Sequence, residues 1–163
     1  MLKIFYFVNK WLMKKFFVFI LIVLVLAGFS FLKASDMELL SLNNIEKVCF
    51  ISSEKFDVDE VVTCGDKYFN SCELNMAKNK FDEFLEKSDS FQLYFEDLTY
   101  EELSKNLKFQ QVSFEKICGI DVYCGFTPYA NKSLFLNGKK INAQIAVMQG
   151  KVIAGFPMIL SGY

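Results

Sequence analysis

"NGKKINAQIAVMQGKVIAGFPMIL", residues 137–160, reads either as a membrane-spanning helix or as a pair of strands. The lysines decide it. A spanning helix would bury Lys139, Lys140 and Lys151, at about 3 kcal/mol each near the bilayer centre. A hairpin has no such cost. Ile141, Ala143, Ile145 and Val147 alternate with other residues, and so do Val152, Ala154, Phe156 and Met158. Alternation places one apolar set on one face of a strand. With Gln149-Gly150 as a two-residue loop, Val147 faces Val152, Ile145 faces Ala154, Ala143 faces Phe156 and Ile141 faces Met158. The opposite face then pairs Met148 with Lys151, Gln144 with Gly155 and Asn142 with Pro157, and a one-residue slip destroys the match. The segment is expected to be a hairpin with one buried face. Pro157 has no N–H to give, so the ladder should end near Gly155 or bulge there.

Working outward, Asn137-Gly138 is a strong two-residue turn signal. It joins Ser133–Leu136 to the strand from Lys139, with Leu134 facing Ile141 on the same apolar face. "CGIDVYCGFTPY", residues 118–129, reads as a further strand ending at Pro128. Asn70 with Glu73 marks a helix start. Leu74, Ala77, Phe81, Phe84 and Leu85 then recur at helical spacing through Lys87, an amphipathic helix of about 16 residues that can cover the sheet. Thr99 with Glu102 is a capping box opening a short helix with Leu103 and Leu107 inward. Phe91, Leu93 and Phe95 alternate as in a strand, and residues 58–64 read as another. Residues 36–45 fit either a short helix or a linker. Helices mixed with antiparallel strands place the chain in the α+β class.

Ahead of this body lies "FFVFILIVLVLAGFSFL", residues 16–32, without a charge. As a helix it spans roughly 26 Å, and Lys14, Lys15 and Lys33 can snorkel to bridge the rest of a typical core. Lys3, Lys10, Lys14 and Lys15 precede the run and no acidic residue does. That asymmetry puts the N-terminus in the cytoplasm and the body outside. We therefore read residues 1–35 as a cytoplasmic stub with a transmembrane signal-anchor, and residues 36–163 as one extracytoplasmic domain. A signal-anchor is favoured over a cleaved signal peptide, whose product would be secreted, because the small-residue site Gly28-Phe29-Ser30 lies inside the run.

Composition excludes several chemistries. The chain has 163 residues and no His, so it lacks the commonest general base and metal ligand. Ser–His–Asp and Cys–His catalysis within one chain are ruled out. All 19 acidic residues follow the apolar run, against 14 lysines there and no Arg. An acidic body without Arg is a poor phosphate binder, which argues against nucleic acid as a partner.

Five cysteines, Cys49, Cys64, Cys72, Cys118 and Cys124, fall in the external body, where disulfides are permitted. A bridge between Cys64 and Cys72 could close the loop into the helix. Cys118 and Cys124 on one strand would be too far apart to pair. The other reading keeps all five as inert thiols. Asp57, Asp59 and Glu60 lack the spacing, glycine and closing glutamate of a calcium loop, and Glu96, Asp97, Glu101 and Glu102 read as a helix-start charge run. No catalytic residue, cofactor or metal ligand is assigned. Among the 19 phenylalanines, Phe91, Phe95, Phe109, Phe114, Phe126 and Phe135 either fill the core or mark a partner surface. Phe135 points away from Leu134 and Leu136 and is the foremost candidate contact.

The C-terminal sequence resembles the end of the YwmB-like family, membrane-anchored or secreted proteins of endospore-forming Gram-positive bacteria. Asn137, Gly138, Lys139, Lys140, Asn142, Ile145, Ala146, Gly155, Pro157 and Tyr163 carry the likeness. It covers roughly the last 45 residues well and the helix from Ser71 more loosely, and Phe156 stands where threonine is usual. The resemblance implies a TATA-box-binding-protein-like fold at the membrane or outside it and a setting linked to sporulation. It brings no catalytic residue. The resulting expectation is a non-enzymatic, membrane-anchored module acting through an envelope protein. The alternative is an envelope thiol protein or enzyme using Cys or Asp/Glu.

Overall fold

Alternation of large apolar residues along the chain produces strands wherever turn residues interrupt it. In the computed structural model these strands assemble into one eight-stranded antiparallel sheet and a separate two-stranded ribbon. The structure describes residues 36–148 and 150–159. The expected membrane helix at 16–32, Gln149 of the loop and the terminal Tyr163 lie outside the described residues. Among those described, no helix is long and apolar enough to cross a membrane.

The elements in chain order are β1 (Ile45–Ser52), β2 (Glu60–Cys64), β3 (Lys67–Cys72), α1 (Leu74–Lys87), β4 (Ser88–Glu96), α2 (Tyr100–Asn106), β5 (Gln110–Ile117), β6 (Ile120–Phe126), β7 (Leu134–Leu136), β8 (Lys139–Ile141), β9 (Ala143–Met148) and β10 (Lys151–Phe156). The sheet runs β2-β3-β1-β4-β10-β9-β6-β5, and β7 pairs with β8. Mixed helices and antiparallel strands make the class α+β.

The β9–β10 hairpin has the register read from its alternation: Met148 opposite Lys151, Val147 opposite Val152, Ile145 opposite Ala154, and Gln144 opposite Gly155. The β9–β10 ladder ends there, so Pro157 lies beyond it. The Ala143–Phe156 and Ile141–Met158 pairs lie outside the ladder, and a bend at Asn142 sets Ile141, in β8, apart from β9. The expectation of one buried face is also corrected. Ala143, Ile145, Val152, Ala154 and Phe156 enter the main core, while Ala146 and Ile153 enter a second cluster on the other face.

We call the two faces of the sheet helical and ribbon. On the helical face, Val48, Phe50, Phe91, Leu93 and Phe95 meet Ala77, Phe81 and Phe84 of α1, Leu103 and Leu107 around α2, and Leu39 and Leu40 of the N-terminal turn. Residues 36–39 are helical, which resolves the choice left open for that stretch. Aromatic rings fill the space under α1. Phe56 stacks on Phe84 at 4.8 Å, Phe50 meets Phe84 edge-on at 5.3 Å, and Phe91 stacks on Phe156 at 5.0 Å. Such pairs add to their burial. On the ribbon face, Leu134, Leu136 and Ile141 pack over Val122, Cys124, Ala146 and Ile153. Leu134 does face Ile141 across the ribbon, but on the face opposite to the one expected.

Backbone geometry explains two turns. Asn137 (φ 48°) and Gly138 (φ 77°) both lie in the left-handed region, as a tight hairpin of this twist requires. Cys118 (φ 51°) and Gly119 (φ 87°) form a second turn with both φ values positive. The strand expected over 118–129 is therefore shorter, Ile120–Phe126, and Cys118 sits in the turn from a strand, β5, that the alternation did not announce. The helix start is corrected as well. Asn70 ends no loop; it is buried in β3. Its amide donates to Ser52 Oγ (3.0 Å) and Glu54 O (3.1 Å) and accepts from the Phe56 N–H (2.8 Å), pinning the 52–56 loop. Glu73 precedes α1 without a side-chain cap, and Asp59 Oδ2 accepts from its backbone N–H. The Thr99–Glu102 capping box at α2 forms as read.

A polar row crosses the ribbon face in register: Ser71, Cys49, Gln92, Gly155, Gln144, Cys124. Gly155 is its bare position. A Cβ there would lie 2.6 Å from Ile159 Cγ1 and 2.7 Å from Ile159 N. Residues 157–159 therefore cross the sheet over that glycine, and Ile159 N–H donates to Gln144 Oε1 at 2.9 Å. We expect Gly155→Ala to destabilise the full-length chain by about 3 kcal/mol, the overpacking range, when measured by urea unfolding. A loss below about 0.5 kcal/mol contradicts this packing.

Candidate functional site

Phe135 begins in a short strand whose neighbours alternate. Leu134 and Leu136 turn inward onto the ribbon-face cluster, so Phe135 must turn outward. It is 74% exposed, the highest value among the exposed large hydrophobic residues. Its cross-strand partner is Lys140, so a cation and an aromatic ring share the outer side of the ribbon. Lys139 Nζ donates to Val112 O at 3.3 Å, tying the ribbon to β5. At the other end Asn142 Nδ2 donates to Thr127 O (2.7 Å) and Ala130 O (2.8 Å), and its Oδ1 accepts from Thr127 N–H (2.7 Å). The ribbon is thus held at both ends while its outer side remains bare. Phe114 (49%) and Phe126 (39%) are exposed too, whereas Phe91 and Phe95 are core. Phe109 packs partly buried against the main core.

Two of the acidic candidates and one thiol meet at one place. Asp59, Glu60, Lys47, Ser71 and Cys72 line a shallow cleft of about 200 Å³ between β1, β2 and β3. Its groups are already engaged. Asp59 accepts from Glu73 N–H, and Glu60 pairs with Lys47 at 3.3 Å. Burial, aided by the nearby Asp59 charge, pushes the Cys72 thiol up to about 11. A thiol held protonated is a poor nucleophile, and with no His in the chain no imidazole is at hand to activate it. Burial also raises the Cys49 thiol. Among the described residues no group of three or more acidic or Cys side chains is arranged to hold a metal ion.

All five cysteines are free. The Cys64–Cys72 bridge raised from the sequence does not form. Cys64 pairs with Lys67, and the five residue steps of β3 from Lys67 to Cys72 separate the two by roughly 16 Å, far beyond the ~7 Å a disulfide can span. Cys64 and Cys118 are exposed; Cys49, Cys72 and Cys124 are buried.

The charge run at α2 divides into separate roles. Glu102 closes the capping box, and the Thr99 N–H that it accepts holds its carboxyl below the ordinary value. Glu96 and Glu46 flank Lys151 at 3.3 and 3.0 Å. Asp97 and Glu101 instead line an open groove with Tyr100 and Tyr123. Sequence spacing could not find this groove, because Tyr123 arrives from β6, beyond the α2–β5 connection.

No protein-family model, curated protein or solved structure matches the chain.

Two measurements follow from the thiols. Brief alkylation of the native chain at pH 8 should modify two thiols, Cys64 and Cys118, and all five only after unfolding; a fast third thiol contradicts the burial. Second, Cys72 is raised from 9.0 to about 11 and Tyr94, chiefly by burial, from 10.0 to about 12. Raised values mean that the folded state holds these protons more tightly than the unfolded chain does. Their contribution is complete below about pH 9 and is lost as pH climbs toward 11–12. The urea midpoint under reducing conditions should therefore fall over that window, and a flat midpoint contradicts the assignment.

Proposed function

We propose that this chain is a non-catalytic interaction module, tethered to the membrane by residues 16–32 with its N-terminus in the cytoplasm, that docks an envelope protein through the outer side of the β7–β8 ribbon. The exposure of Phe135 carries this reading. A ring fully out of water gains roughly 2 kcal/mol or more, yet this one stands in solvent on a strand held firmly by Leu134 and Leu136. A rigidly presented aromatic ring matches the enrichment of aromatic residues, Phe among them, in contact surfaces. The absence of His from the sequence, the engaged carboxylates and the protonated Cys72 all weigh against the thiol or enzyme alternative. Nucleic acid remains a poor partner for an acidic body without Arg. The likeness to YwmB-like proteins supports the envelope setting and the TATA-box-binding-protein-like description of the fold, and it is the sole basis for a link to sporulation.

Photo-crosslinking tests the proposal. A photoreactive phenylalanine analogue at position 135, in cells that make the full chain, should give one discrete product, while the same analogue at Val62 on the far edge strand should not. Lys140→Glu should weaken the product several-fold. Phe135→Ser should leave the unfolding midpoint within about 0.5 kcal/mol of the parent, as for an exposed site. Equal labelling from both positions, or none from 135, overturns the docking surface. A C-terminal reporter found in the cytosol overturns the topology.

A further inference from the structure

The groove beside α2 has a consistent chemistry. It is an open cleft of about 450 Å³, within the size range of small-ligand sites. Leu98, Val147, Met148 and Val152 supply apolar walls. Tyr100 and Tyr123, which also line it, are stacked at 3.9 Å between centroids and 21° between planes. Phe114, outside the lining, packs against Tyr123 with 5.1 Å between ring centroids. The Tyr100 hydroxyl is turned to Gln111 Oε1 at 3.1 Å, which fixes the ring in place.

Charge selects the ligand. Asp97 and Glu101 line the groove and have no ion pair among the described residues. Among the described residues the one cation on the lining is Lys151, which is flanked by Glu46 and Glu96, so its charge is already met. The groove is therefore negative at its rim and aromatic and apolar within. An anion is repelled. A bare metal ion finds no cluster of ligands among the described residues. A cation over the negative face of a tyrosine ring is attracted, and more so with a carboxylate nearby.

We infer that this groove binds a small organic cation, an alkylammonium whose charge sits between the Tyr100–Tyr123 rings and the Asp97 and Glu101 carboxylates while its carbon stem lies on Leu98, Val147 and Met148. The site is distinct from the ribbon around Phe135, and neither depends on the other.

The test is titration of the full-length chain with butyltrimethylammonium and, in parallel, with its uncharged carbon isostere, followed by the NMR signals of Tyr100, Tyr123 and Met148. The cation should saturate with a dissociation constant on the order of 1 mM or tighter, and the isostere should bind at least tenfold more weakly. The double variant Asp97→Asn, Glu101→Gln should lose at least tenfold in affinity with its unfolding midpoint unchanged; Asn accepts the positive φ of Asp97 (52°). Phe135→Ser should bind as the parent does. Absence of saturation by about 10 mM, equal binding of the isostere, or undiminished affinity in a folded double variant overturns the inference. The isostere comparison uses the parent chain and stands even if the double variant is unstable.

Discussion

Burial of β4, β10 and β9 on both faces is the constraint from which the rest follows. Phe91, Leu93, Phe95, Val152, Ala154 and Ile145 point one way, while Ile153 and Ala146 point the other. A sheet that is apolar on both sides needs two covers. The helical face receives α1, α2 and the turn carrying Leu39 and Leu40. The ribbon face receives β7–β8 and Ile159. The second cover demands a close crossing, and Gly155 supplies the room for it. Loops that close the two ends are fastened from inside by buried amides, Asn70 at one end and Asn142 at the other. Each holds backbone groups that burial would otherwise leave unpaired.

That arrangement determines what remains for the surface to do. Because the ribbon spends Leu134, Leu136 and Ile141 on the core, its outer side is free to carry Phe135 and Lys140. Because α2 spans only Tyr100–Asn106, it leaves part of the helical face open, and the Tyr100–Tyr123 stack stands beside that opening. The first surface is the outer side of a cover, and the second is a gap that a short helix leaves open.

Much of this architecture is legible in the amino-acid sequence. The β9–β10 register followed from alternation, because a slip moves every side chain to the other face. The Asn137-Gly138 turn and the Thr99–Glu102 box followed from local chemistry with few alternatives. The failures are equally physical. β5 escaped notice because it lies at the sheet edge with polar residues such as Gln110, Gln111, Glu115 and Lys116, so its pattern resembles a loop. Cys118-Gly119 is an uncommon pair for a turn with two positive φ values. Asn70 looked like a helix cap because a cap and a buried loop anchor use the same amide chemistry. Two-sided burial is hidden because Lys151, Gln144, Gly155 and Asn142 give the second face a polar look, although Ala146 and Ile153 between them are buried. The groove joins residues from α2, β6 and the β9–β10 hairpin, and nothing local in the sequence announces such a meeting.

Amide hydrogen exchange on the full-length chain tests the two-sided centre most directly, since protection reports which strands open last. If the account is right, the amides of Val152–Gly155 and of their partners in β4 and β9 exchange slowest, at the rate of global unfolding, while the edge strands β2 and β5 exchange much faster. Rapid exchange across residues 143–156, or edge strands as slow as the centre, would contradict it.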